Sequence, residues 1–112
     1  MKKTILSFAL SVFFIAGNAQ NLQEAIKKTE NERFGAAAAD FRALIAKDAN
    51  KGEYYFYYGE NFFNNDNIDS AFIMYKKGSE VQPTNGLNYA GMGKVQLVQG
   101  NDKEGNANLF KA

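Results

Sequence analysis

Any chemistry in this chain of 112 residues has to come from carboxylates, amides, lysines and tyrosines, because histidine, cysteine and tryptophan are all absent. Without histidine the commonest general base and the commonest transition-metal ligand are missing. Without cysteine there are no thiolate nucleophiles, disulfides, cysteine-based zinc sites or lipidated N-terminal cysteine. Two carboxylates can share acid and base work only where their surroundings drive their pKa values apart. Glu53 and Glu60 lie seven residues apart on one helix face and Glu30 and Glu32 sit near a helix end, so all four read as solvated charge. The run Asn64-Asn65-Asp66-Asn67-Ile68-Asp69 is rich in oxygen. It lacks the D-x-[DN]-x-[DN]-G spacing and the distant bidentate glutamate of a calcium loop. Asn and Asp are also the residues that an inter-helix turn and an N-cap favour. No glycine-rich phosphate loop opens a helix and no G-x-S-x-G elbow occurs. The residues therefore predict no catalytic group, no metal site and no cofactor, and hence no enzyme. Thirteen Lys+Arg against 12 Asp+Glu, a net charge of +1, gives no electrostatic footprint for nucleic acid.

What remains is aromatic. Tyr54 to Tyr58 are five consecutive rings, followed by Phe62, Phe63, Phe72 and Tyr75. One helix cannot bury every face of such a run. Phe56, Glu60 and Phe63 share one face at i, i+4 and i+7, and an aromatic pair beside a carboxylate is the composition of an interface core.

The first residues differ from the rest. Lys2 and Lys3 precede an apolar run of 12 residues, Ile5 to Ala16, and Gly17-Asn18-Ala19 supplies small residues at the positions a signal peptidase reads. This order predicts a secretory signal peptide over 1–19, cleaved before Gln20, and export to the periplasm or outer envelope of a Gram-negative bacterium. The alternatives are a buried core helix or an uncleaved anchor, but a spanning helix needs about 20 apolar residues. No transmembrane span is expected in the mature chain. Its 112 − 19 = 93 residues carry 11 basic and 12 acidic groups, about −1.

The mature chain reads as six helices. The expected spans are 22–32, 36–48, 53–64, 68–81, 87–98 and 103–112, with Gly35 marking the first turn. Asn21 and Asn67 are expected N-caps, and Pro83 forbids continuation of the fourth helix. A period of 34 runs through them. Ala25, Gly59 and Gly93 are in step, as are Ala37, Ala71 and Gly105, then Phe41, Tyr75 and Leu109. Small residues recur where small residues stood, and bulky ones where bulky ones stood.

The middle unit carries Tyr55-x2-Tyr58-Gly59-x2-Phe62, then Ala71-x3-Tyr75, then Pro83. It resembles the tetratricopeptide repeat, W-x2-L-G-x2-Y…A-x3-F…P, with every gap length kept. The third unit is looser, with Gln96 where an aromatic belongs. In the first unit Glu24 and Lys28 fall on apolar columns. A one-residue slip that buries Leu22, Ala25, Ile26 and Thr29 avoids burying two charges. The resemblance implies an all-α, right-handed solenoid of antiparallel helix pairs: a degenerate repeat over 20–51, a full one over 52–85 and a truncated one over 86–112. It implies that Tyr55, Tyr58, Gly59, Phe62, Ala71 and Tyr75 are structural, with Gly59 and Ala71 at the helix crossing. It also places Phe56, Glu60, Phe63, Leu87, Lys94 and Leu97 along a concave groove that binds a peptide or protein. Phe56 and Phe63 could instead pack against helices beyond Ala112. Lys94 is the only cation on this face, which does not suit a clamp for a C-terminal carboxylate. The rival functions are a non-binding scaffold segment of a larger envelope protein and a SusD-like glycan binder. Leu109 and Phe110 lie where a further repeat or another chain would cover them.

Overall fold

The computed structural model describes residues 21–112, so the expected signal peptide, its cleavage site and the side chain of Asn21 lie outside the described residues. Six helices follow one another: α1 (Asn21–Glu30), α2 (Phe34–Lys47), α3 (Gly52–Asn64), α4 (Ile68–Val81), α5 (Gly86–Val98) and α6 (Asp102–Lys111). They form three hairpins, α1–α2, α3–α4 and α5–α6, and each helix packs most extensively on its hairpin partner. Among the described residues no helix is long and apolar enough to cross a membrane.

The hairpin turns repeat as faithfully as the core. Glu32, Asp66 and Gly100, each 34 residues from the next, are the three residues with positive φ among the described residues: 60°, 60° and 84°. At each turn the following N–H reaches back five residues, Arg33 to Lys28, Asn67 to Phe62 and Asn101 to Gln96, at 2.8–2.9 Å. This is the Schellman closure, in which one left-handed residue lets the chain satisfy the last helical carbonyls. The first turn therefore rests on Glu32, and Gly35 sits inside α2. Only glycine adopts a positive φ freely, and other residues are strained there by about 1–2 kcal/mol. Glu32→Gly restores the residue used at Gly100 and is expected to raise stability by about 0.5–1 kcal/mol, the strain relieved less glycine's extra unfolded-state entropy. Urea unfolding checks it.

Asn67 makes no side-chain cap bond; Asn85 does, its Oδ1 accepting from the N–H of Leu87 at 3.0 Å. Pro83 follows directly on Gln82, which closes α4. In α1 the slipped register is the one adopted. Ala25 and Thr29 are buried, Leu22 and Ile26 pack beside them, Glu24 faces solvent and Lys28 pairs with Asp40 at 2.7 Å.

Two core clusters run along the stack. One gathers Ala25, Ala37, Phe41, Leu44 and Tyr58; the other gathers Ala71, Tyr75, Met92 and Val95. Phe62 packs against both. Gly59 does its work against a ring: a Cβ there would fall 2.5 Å from Tyr75 Cε1, and one on Gly91 would fall 2.4 Å from Tyr75 Cδ1. Tyr75 is thus held between two glycines of α3 and α5. Close backbone approach occurs in the third hairpin, where a Cβ on Gly93 would fall 2.8 Å from the Gly105 carbonyl oxygen. Gly91→Ala is therefore expected to destabilise, because overpacking of about 1–3 kcal/mol outweighs the roughly 0.8–1 kcal/mol that alanine gains over glycine in a helix. Gly35→Ala meets nothing within 4 Å and should stabilise. Opposite shifts of the urea midpoint for this pair check the assignment.

Candidate functional site

The contacts between hairpins fix which side of the stack is the inner one. The first helices of the hairpins, α1, α3 and α5, pack against one another in turn, whereas the second helices keep apart. A stack built this way curves with α1, α3 and α5 inside.

Near the middle of that inner side stands Glu60 on α3. Its Oε1 accepts from the Tyr75 hydroxyl and from Lys94 Nζ at 2.6 Å. The Lys94 ammonium also lies 4.1 Å from the centre of the Phe63 ring, a cation–π arrangement. Phe56 leans on Tyr75 at 5.8 Å between centroids and meets Tyr57 edge-on at 5.0 Å. Phe56, Glu60, Phe63 and Lys94 are thus brought together around Tyr75. Phe56 and Phe63 pack partly buried on the second core cluster, so α4 and α5 already take up the rings that helices beyond Ala112 were an alternative to cover. The ion pair retains 27% (Glu60) and 38% (Lys94) side-chain exposure, so it contributes no more than about 1 kcal/mol.

Burial raises the Tyr75 phenol well above its ordinary value, and the hydrogen bond to Glu60 and that carboxylate's charge raise it further. The hydroxyl therefore stays a donor to Glu60 where a free phenol would ionise. Burial also raises Tyr55, whose hydroxyl donates to the Ala49 carbonyl at 2.9 Å. A raised phenol stabilises fully below the unfolded value of 10.0, and this contribution is lost as pH climbs beyond it. The melting temperature should therefore fall from about pH 10 upward. Tyr75→Phe should flatten that slope while lowering stability at pH 7 by about 1.5–3 kcal/mol for a hydrogen bond to a charged group. Calorimetry across pH 8 to 11 checks both.

Of the two remaining groove residues, one turns away from the inner face. Leu97 turns to α6, its Cγ 2.9 Å from where a Cβ on Gly105 would stand, because the glycine leaves a gap in the third hairpin for it to fill. Leu87 is exposed in the first turn of α5 and packs on neither core cluster. The signature residues Tyr55, Tyr58, Gly59, Ala71 and Tyr75 are buried, Phe62 is partly so, and Pro83 is exposed.

Sequence reasoning missed the buried amides. Asn61 accepts from the Thr29 hydroxyl at 2.8 Å and donates to the Phe34 carbonyl at 3.0 Å, tying α3 to the first hairpin. Asn88, fully buried, donates to the Gly52 carbonyl at 3.0 Å, tying α5 to the start of α3. Gly78 makes room for it, since a Cβ there would fall 2.4 Å from the Asn88 amide. For Asn61, inside α3, the available signal was an asparagine within a helix, since asparagine is a poor helix former unless its side chain has a partner; Asn88, in the first turn of α5, gave no such signal.

Beside Glu60, between the first two hairpins, a recess of about 180 Å³ is lined by Ile26, Thr29, Glu30, Phe41, Tyr57, Glu60 and Asn64. Among the described residues no group of three Asp or Glu side chains gathers as a metal site.

No family model and no curated protein matches the sequence. Solved structures do match. The type III secretion translocator chaperone SycD of Yersinia enterocolitica superposes with a TM-score of 0.77 over 84% of this chain and 70% of that one, at 18% identity. MamA 41-end from Desulfovibrio magneticus RS-1 superposes at 0.72 over 81% of this chain and 51% of that one, at 11% identity. A MamA RS-1 double mutant gives 0.73 over 84% and 53%, also at 11% identity. The chain has a tetratricopeptide-like helical-repeat fold. It spans about half the length of the MamA chains it matches.

Proposed function

We propose that the protein is an exported helical-repeat module that binds a peptide or protein partner along the inner face of α1, α3 and α5, and is not an enzyme. The observation that carries this reading is the inner face itself. It has a recess between two hairpins, partly covered aromatic walls and charged groups at the rim, which is how a groove for an extended peptide is built. The likeness to a secretion chaperone supports a role in holding another protein. Export rests on the tripartite leader in the sequence, and the place of action is the periplasm or outer envelope. A glycan-binding reading would want exposed rings to stack on sugars, but every described aromatic ring except Phe110 is at least partly buried. A scaffold reading draws on α6, where Phe110 is 92% exposed and the adjacent Leu109 also lies open as a stacking surface.

Photo-cross-linking in the native envelope tests the proposal. A cross-linker at Asn64 or Leu87 is expected to trap one discrete protein, while the same group at Lys76 on α4 traps none. Equal trapping at all three positions, or none at any, overturns it.

A further inference from the structure

We propose that the recess between the first and second hairpins takes the side chain of a lysine or arginine presented by the partner, an inference that rests on the peptide-binding reading above. The walls and the rim of the recess differ in kind. Ile26, Phe41 and Tyr57 supply an apolar wall, and Glu30 and Glu60 bring two carboxylates to the same space. No cation lines it. Among the described residues Glu30 forms no ion pair, and Glu60 spends only Oε1, on Tyr75 and Lys94, so that Oε2 has no hydrogen-bond partner. Lys94 holds Oε1 of Glu60 from the α5 side, against the Phe63 ring, and does not line the recess.

This combination selects among side chains. At about 180 Å³ the recess is smaller than the roughly 300–1,000 Å³ of a pocket that encloses a whole small ligand, so it suits one side chain. An apolar side chain would fill the wall but desolvate Glu30, which has no ion-pair partner, and the open Oε2 of Glu60. An acidic one would be repelled. A lysine or arginine lays its methylene stem on Ile26, Phe41 and Tyr57 and carries its charge to Glu30 and Glu60, where the rings add a cation–π attraction. The groove would then read a basic anchor in an otherwise extended segment.

The test uses the purified protein and four synthetic libraries of random nonapeptides that share a central lysine, arginine, norleucine or glutamate. Selected peptides are measured by calorimetric titration. Lysine and arginine peptides should bind about five- to tenfold more tightly than the same sequences with norleucine at the centre, as expected for two partly exposed charge contacts. The preference should shrink to about twofold in Glu30→Gln, which alters an exposed residue and should leave the fold intact, and likewise in about 0.5 M salt. Equal binding of the norleucine peptides, or a preference unchanged by Glu30→Gln, overturns the basic anchor; the groove reading survives if those peptides still compete with one another. If no peptide from any library binds, both fall.

Discussion

Truncation of Tyr75 to alanine is expected to cost about 3–5 kcal/mol, the usual range for removing a large buried ring. The side chain is fully buried and sits between the backbones of Gly59 and Gly91. Two backbones that approach so closely across a ring cannot collapse into the gap without shifting whole helices, so the loss belongs at the upper end. Tyr75→Ala also orphans Oε1 of Glu60 from one donor and takes away the surface on which Phe56 rests. A domain of this size has a total stability of about 5–15 kcal/mol. The melting temperature should therefore fall by about 15 °C or more, at about 4–8 °C per kcal/mol. Thermal unfolding followed by circular dichroism reads it. A loss under about 1 kcal/mol would show that α3 and α5 do not meet across this ring.

The second large effect belongs to Asn61. Its amide joins the Thr29 hydroxyl to the Phe34 carbonyl at the joint between the first and second hairpins, with only 2% exposure. Asn61→Ala removes two hydrogen bonds and leaves a buried hydroxyl without its acceptor. Each unsatisfied buried group costs about 1–3 kcal/mol, so about 2–4 kcal/mol is expected in all. Stacked repeats interact chiefly with their neighbours. The loss should therefore appear first in α1 and α2, and amide hydrogen exchange should show those helices losing protection before α5 and α6. Uniform loss across all six helices would mean that Asn61 acts on the fold as a whole.

The repeat was legible because small and bulky residues alternate at a fixed step: Ala25, Gly59 and Gly93, or Phe41, Tyr75 and Leu109. What those residues do was only half legible. Gly59 could be placed at a close approach, but the ring it clears comes from a residue 16 positions on, and the second glycine that clears it, Gly91, stands outside the signature. The turns show the same limit. Gly35 was expected to mark the first turn, yet Glu32 adopts the left-handed conformation there, as Asp66 does at the second turn, because closure of the preceding helix sets the site. Asn67 looked like a cap by residue type, but capping depends on where the side chain turns, and among the described residues Asn85 makes the bond instead.

On the candidate site, the face shared by Phe56, Glu60 and Phe63 followed from helical spacing, and its meeting with Lys94 followed from the repeat. Leu97 did not stay on that face, since Gly105 opens a gap that no pattern within α5 reveals. The recess needs Phe41 from α2 as well as side chains from α1 and α3, so it exists only once the first two hairpins are stacked.

Amide NMR mapping of the tightest nonapeptide onto the protein tests the inner-face account most directly. The account predicts that the largest shifts fall on α1 and α3, around Ile26, Glu30, Tyr57 and Glu60, and extend to Lys94 on α5. Shifts concentrated on the outer helices, α2 and α4, or confined to α6 around Phe110, would contradict it.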